Sequence, residues 1–514
     1  MPLYKLGNKT IFQSVYFVFT VLEILLLSGI TYGWASVVVV FQYEGFFNYL
    51  CPKENGTVNG MKSLQQTNAT SLGFLGRQRG YEEIVCSQQS KRFNLVFNIS
   101  VACLCCFKFP IGLFIDKYGP RAGQILGCSI YVIGGLGLAF ITKETAFILF
   151  PTFILFCIGG GLIAVAKYQV CRYIYTDVRS LVLSILHGTF DSSAVILVFF
   201  KLAWESGISL RDISLFYIVL SFILVSLSTF ALTPPYDQLK NENGSSECTI
   251  ISERDIDENS NSKKLSAPDS LIKSITSPLF LLELVFMCFC QLRLWFFIGS
   301  LEELISVHFP DNEESVNHYS TYFGYAQLCG ILVGPLIGYL FDKDTIKCKR
   351  DNFDDKSPLL DVPEKRRVER MQAGVLPFFL TNLLCAAFAL LSLAPWSWGL
   401  IPSFILQVMT RGFLYSAHAS YIAMTFRPEY FATLYGLGIF VAGFFGLLEY
   451  PLYTITYRFC GSDPFWVNLV LLFLVLFTNI FPFYLLYHCR IMKNSIYTSL
   501  VKFDKASNGI FVKV

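Results

Sequence analysis

Long apolar runs alternate with short polar breaks along nearly the whole chain. Twelve runs approach or exceed the roughly 20 residues that a helix needs to cross a hydrocarbon core of about 30 Å. The first six cover about residues 11–41, 93–115, 122–141, 146–166, 181–203 and 213–232. The second six cover about 279–301, 319–341, 375–393, 398–421, 431–453 and 465–487. The pattern predicts an all-α membrane protein with twelve transmembrane helices. Between the two sets lies 233–277, rich in Ser, Asn, Asp and Glu, to which no structure is assigned. The expected organisation is an N-terminal six-helix half (1–232), a cytoplasmic linker (233–277), a C-terminal six-helix half (278–490) and a tail (491–514).

Composition strengthens this reading. Of 514 residues, 54% are hydrophobic and 15% charged, against about 25% charged in a typical soluble chain. The first run is too long for a signal-peptide core and lacks a small-residue cleavage site, so it is read as the first span.

Basic residues set the orientation. The connection 342–372 carries KDTIKCKRD and EKRRVER, whereas 301–319 has no Lys or Arg. The positive-inside rule places 342–372 in the cytoplasm. Alternation then puts both termini inside and the loop 42–92 outside, at the plasma membrane. That loop holds the sequons at Asn55 and Asn68, with Cys51 and Cys86 around them. Sequons and paired cysteines belong in an oxidising compartment, so glycosylation at Asn55 and Asn68 and a Cys51–Cys86 disulfide are expected. Two free thiols beside chance sequons is the plainer alternative. The sequons at Asn243, in the linker, and Asn98, inside a span, should stay unmodified. Most of the sixteen cysteines sit in apolar runs such as VACLCCFKF, where a thiol acts as a small core hydrophobe.

One polar break recurs. Gly112-Leu113-Phe114-Ile115-Asp116-Lys117 closes the second run and Gly338-Tyr339-Leu340-Phe341-Asp342-Lys343 closes the eighth. Tyr173, Arg179 and Gly188 are echoed at equal spacing by Tyr421, Arg427 and Gly436. Halves that repeat in one orientation are related by an axis along the membrane normal.

The stretch Gly112-x-x-x-Asp116-Lys117-x-Gly119-x-Arg121 resembles the signature loop between spans two and three of the major facilitator superfamily. That resemblance implies the major facilitator fold, and a gate that stabilises the outward-open state through contacts between the halves. Its residues here are Gly112, Asp116 and Arg121, with Gly338 and Asp342 carried over from the second copy, which lacks the later Gly and Arg. As physical parts, Gly112 permits close helix approach, Asp116 can cap the following helix or pair across the halves, and Arg121 supplies a cation. A simple topology marker with helix caps is the alternative.

Further stretches are similar to solute carrier family 43: YGWASVVVVFQYEGFFNYLC, the paired loop cysteines, FDSSAVILVFFKLAWESGISLR from Phe190, TRGFLYSAHASYIAMTF from Thr410, and DPFWVNL from Asp463. The likeness implies a facilitator of large neutral amino acids or, in one branch, an equilibrative carrier of purine nucleobases. Phe190–Arg211 and Phe297-Ile298-Gly299 resemble the nucleobase branch. Gln291-Leu292-Arg293 and Phe465-Trp466-Val467-Asn468 lean to the amino-acid branch.

Polar residues inside the runs are the candidate site, because a charge at mid-membrane costs at least ~3 kcal/mol and needs a cavity or a partner. Arg293, with Gln291 and Trp295 around it, and Arg411, with Tyr415 and His418 at helical spacing, are the most prominent. Asp191 and Ser192, and Gln327, are the others assigned to substrate. Trp or Phe faces would stack a nucleobase, while amide and guanidinium groups read its edges. A zwitterion could instead use Arg293 with Asp191. Arg411 as a helix brace, and Asp191 in a local ion pair, are the competing readings. Glu23 fits a packing contact, Glu449 an extracellular position, Lys201 with Glu205 a surface pair, and Gly159-Gly160-Gly161 close packing or a flexing element.

No P-loop, HExxH, nucleophile elbow or cysteine–histidine metal spacing is present, so an enzyme, a cofactor and a metal are not expected. The partners expected are a small-molecule substrate, either a purine nucleobase or a neutral amino acid, and the lipid bilayer, without nucleic acid, in a monomer. No proton-relay chain or broken-helix sodium site can be read, which predicts uniport. A channel, and a non-transporting scaffold or receptor, are the remaining alternatives.

Overall fold

The computed structural model describes residues 9–51, 87–175, 178–235, 270–301, 304–305, 319, 322–327, 329–330, 332–342, 363–393, 397–459 and 464–510. Among these, every regular element is helical. Eleven helices are long and apolar enough to cross a membrane. In chain order they are Thr10–Leu27, Lys91–Tyr118, Pro120–Ala139, Ala146–Ile174, Arg179–Glu205, Leu210–Leu232, Pro278–Gly299, Tyr322–Asp342, Arg367–Leu393, Pro428–Thr456 and Phe465–Ser495. The helix Leu400–Thr425 has 26 residues, enough for about 39 Å at 1.5 Å per residue. It is less apolar because Ser403, Gln407, Thr410, Arg411, Ser416, His418 and Ser420 lie along it, and its buried surface faces protein. Counted as span ten, it completes the twelve.

Two spans extend beyond the sequence expectation. A helix Pro363–Ala373 stands within the basic connection and leads through Gly374 into Val375–Leu393. The last helix, Ile480–Ile510, continues well into the tail. Asn55, Asn68 and Cys86 lie outside the described residues, whereas Cys51 is described and is disulfide-bonded.

Helix breaks shape the middle of the bundle. Span one is interrupted by a 3-10 turn, Ile30–Gly33, before resuming at Trp34–Tyr43. Span five stops at Ser192 and restarts at Val195. The two breaks touch, since a Cβ at Gly29 would overlap the Phe190 carbonyl and one at Gly33 would overlap the Ala194 carbonyl. Span eleven breaks in the same way between Gly446 and Glu449, where a Cβ at Gly446 would crowd the Trp295 ring of span seven. Non-helical backbone at this depth is tolerated where it is buried in protein or lines a cavity. Spans three and four pack through Gly127 and Gly159, whose missing Cβ atoms let the backbones approach.

Buried charges behind these breaks are paired. Glu23 lies 3.1 Å from Lys167, both fully buried, and Lys167 also donates to Ser228. Glu283 lies 2.7 Å from His418 Nδ1, again with both side chains fully buried. Each half therefore ties its first span to its fourth through an acid and a base.

Candidate functional site

At the end of the bundle that carries Lys9 and the last helix, the two halves are fastened together. Asp116, near the end of span two, accepts the backbone N–H groups of Thr433 at 2.7 Å and Ala432 at 3.3 Å. These are early N–H groups of the helix Phe431–Gly446, which have no partner within their own helix. Asp342, at the end of span eight, accepts the N–H of Leu181 at 2.8 Å, in the first turn of the helix Arg179–Ser192. Each carboxylate of the repeated motif thus caps a helix of the opposite half, at the positive end of its dipole. The glycines make this possible, because a Cβ at Gly112 would overlap the Ala432 carbonyl and one at Gly338 would overlap Leu181.

Further bonds join the same end. Gln169 donates to the Pro428 carbonyl at 3.1 Å. Arg172 donates to the carbonyls of Ala423 at 2.7 Å and Phe426 at 2.8 Å, and its guanidinium lies 5.2 Å from the Phe431 ring centroid. Arg179 reaches the Ala423 carbonyl at 3.2 Å. Arg121 donates to the Thr233 carbonyl and so ties the start of span three to the end of span six.

Deeper in the bundle, a cavity opens between the halves. Its wall is built from Tyr32, Leu104, Cys105, Lys108, His187, Phe190 and Asp191 of the first half. The second half contributes Gln291, Leu294, Trp295, Ile298, Arg411, Tyr415, Tyr435 and Ile439. Within each helix the wall residues fall three or four apart, so each span presents one face.

An ion pair crosses the cavity. Arg411 Nη2 is 3.0 Å from Asp191 Oδ1 and its Nε donates to Oδ2 at 3.3 Å. This two-point contact joins span ten to the break in span five and leaves both side chains about one-tenth exposed. The Arg411 guanidinium also lies 5.4 Å from the Tyr32 ring centroid. Tyr415 donates to Gln291 Oε1 at 2.7 Å. His187 Nδ1 donates to the Leu183 carbonyl at 2.7 Å, which leaves Nε2 to accept from the Tyr435 hydroxyl at 3.0 Å across the halves.

Of the residues assigned to substrate from the sequence, Asp191, Gln291, Trp295, Arg411 and Tyr415 meet on this wall. Arg293 does not. It is fully buried inside the second half, donates to Ser392 at 2.7 Å and stacks its guanidinium 4.3 Å from the Phe388 centroid. Gln327 is outside the wall and donates to Gln407 at 2.8 Å, and Ser192 is buried beside Asp191 without lining the cavity. His418 is turned to Glu283. The sequence reading missed Tyr32, Lys108, His187 and Tyr435. Lys108 was visible as a lone cation in VACLCCFKF, a stretch noticed only for its thiols.

Two repeated six-helix sets, fastened at one end and enclosing between them a cavity that holds an ion pair, make a membrane transporter of the alternating-access type. The profile of the Major Facilitator Superfamily matches residues 67–448, and the chain belongs to that superfamily; it is a transporter and not an enzyme. It is 26% identical to equilibrative nucleobase transporter 1 of Bos taurus, over 94% of this chain and 98% of that one. It is equally 26% identical to large neutral amino acids transporter small subunit 3 of Mus musculus, over 95% of this chain and 96% of that one. In fold it is similar to the crystal structure of the human organic anion transporter MFSD10, with a TM-score of 0.51 and 13% identity over 92% of this chain and 100% of that one.

Proposed function

We propose that this chain is a facilitative plasma-membrane uniporter of purine nucleobases such as adenine, guanine and hypoxanthine, of the kind found in solute carrier family 43. The observation that carries the reading is the aromatic wall of the central cavity. Tyr32 and Phe190 stand on one side, Trp295, Tyr415 and Tyr435 on the other, around the Asp191–Arg411 pair. Stacking a base on an aromatic ring is worth about 1–3 kcal/mol and needs a flat partner. An aliphatic side chain such as that of leucine has no flat face to offer these rings.

A nucleobase entering between the halves would stack on these rings while its edge engages the polar groups near the ion pair. Release of the Asp116 and Asp342 caps would then open the other end. We take the fastened end to be cytoplasmic, so the form described here is closed to the cytoplasm. On the same topology, Asn55 and Asn68 are glycosylated outside and Cys51 pairs with Cys86. Enzymatic deglycosylation should lower the apparent mass, and Asn55→Gln with Asn68→Gln should abolish that shift.

A second reading has one observation in its favour. Opposite charges at Asp191 and Arg411 could exchange partners with the α-ammonium and α-carboxylate of a neutral amino acid. Uptake of labelled adenine and labelled leucine, measured in parallel in one expressing cell line, separates the two. Saturable leucine flux without adenine flux would reverse the assignment.

A further inference from the structure

Lys108 is the wall residue whose charge has no counterpart. It stands on span two, buried with 4% of its surface exposed. Its Nζ lies 5.3 Å from the Phe190 ring centroid and faces Gly161 of span four, where a Cβ would come within 3.7 Å of it. Among the described residues it makes no ion pair and no side-chain hydrogen bond. The buried cations Lys167 and Arg411 each face a carboxylate, Glu23 and Asp191, whereas among the described residues Lys108 faces none. An ammonium held at this depth is costly, so a group from outside the protein is the natural partner for it.

The remaining wall chemistry says what kind of group. Three acceptor side chains of the wall each already receive a donor of the protein's own. Asp191 receives Arg411 at both oxygens, Gln291 Oε1 receives Tyr415, and His187 Nε2 receives Tyr435. An ammonium donates and cannot accept. Lys108 therefore brings to the cavity a charged donor, over the Phe190 ring, that calls for an acceptor from the ligand.

We propose that Lys108 is a substrate-reading residue that selects purines with a 6-oxo group, such as hypoxanthine and guanine, over adenine. The O6 and N7 atoms of an oxopurine form a pair of acceptors on one edge, a natural target for a lysine, whereas adenine presents its N6 amino donor there. Held in the cavity beside Phe190, an oxopurine would bring both acceptors to the ammonium, whereas adenine would offer N7 alone and set its N6 amino donor against it. This inference rests on the nucleobase reading and goes beyond it in ranking the bases.

The test measures uptake of labelled hypoxanthine, adenine and leucine by the full-length protein, with surface labelling to normalise for protein at the membrane. The wild type should show a KM for hypoxanthine roughly tenfold or more below that for adenine, as expected for one good base-edge contact. Lys108→Met should raise the hypoxanthine KM by about the same factor and leave the adenine KM within about twofold, while Lys108→Arg keeps the preference. Equal KM values for both purines in the wild type, or a Lys108→Met effect equal on both, would overturn the role of Lys108 and leave the nucleobase reading standing. Leucine flux with neither purine carried would overturn both. Should Lys108→Met fail to reach the surface, the wild-type comparison still decides the preference.

Discussion

The carboxylate of Asp116 accepts the backbone N–H of Thr433 at 2.7 Å, so a side chain from the first half caps a helix of the second. An anion at a helix N-terminus is worth about 0.3–2 kcal/mol, depending on burial. Asp116→Asn keeps the shape and removes the charge. It should reach the membrane normally, lower uptake several-fold and shift the population towards the state open at this end. Labelling of a cysteine placed at Ala423, which is buried at this end and holds Arg172 and Arg179 only through its backbone carbonyl, reports that shift. Unchanged labelling and uptake would reduce the motif to a topology signal.

Close approach at the same contact makes a second, steric prediction. A side chain at Gly112 would overlap the Ala432 carbonyl, and one at Gly338 would overlap Leu181. Gly112→Leu and Gly338→Leu should each hold this end apart and cut uptake at least tenfold, roughly the effect of losing a contact worth 1.4 kcal/mol. Gly207, with open space around it and φ of +98°, is not a neutral control. Gly324, equally open and without that backbone demand, is the proper one, and Gly324→Ala should transport normally.

Asp191 and Arg411 should behave as a unit. Removing one member of a buried pair leaves an uncompensated charge, at a cost of about 3–5 kcal/mol. Asp191→Ala and Arg411→Ala should therefore each lose most surface protein as well as uptake. The double variant, with no charge stranded, should recover surface protein measured by biotinylation, and its uptake should stay low because the polar end of the cavity is gone. Full uptake in the double variant would make the pair a brace and nothing more.

Arg293 gives the opposite pattern. Held by Ser392 and the faces of Phe388 and Phe297, it stabilises the second half from within, through contacts of about 0.5–2 kcal/mol each. Arg293→Met should lower the melting temperature of the purified protein while leaving the substrate KM within about twofold. A tenfold change in KM at unaltered stability would return Arg293 to the substrate site.

These residues also show where the sequence is legible. Spans were readable because each is a long apolar run, and span ten was readable despite its polar residues because its length and position in the repeat required it. The contact between the halves was readable because Gly112 and Asp116 recur as Gly338 and Asp342 at the same place in the second half. Which way a lone polar residue points was not. A transmembrane helix surrounded by protein and lipid is apolar on nearly all sides, so hydrophobic periodicity marks no single face. Spacing could still have separated two neighbours. Gln291, Leu294, Trp295 and Ile298 stand three or four apart and share the cavity wall, whereas Arg293, two residues from Gln291, is turned by about 200° on a 3.6-residue helix. Lys108 and His187 were hidden differently, since their meaning depends on Phe190 and Tyr435, which reach them only through the packing of other spans.

Counterflow by the purified protein tests the central claim most directly. Proteoliposomes are loaded with unlabelled hypoxanthine and diluted into labelled hypoxanthine, with identical sodium and pH on both sides. A uniporter that alternates around one purine site should accumulate label transiently above equilibrium without any ion gradient, and loading with leucine should produce no such overshoot. An overshoot that appears only with leucine inside and labelled leucine outside, or purine accumulation that requires a sodium or proton gradient, would contradict the account.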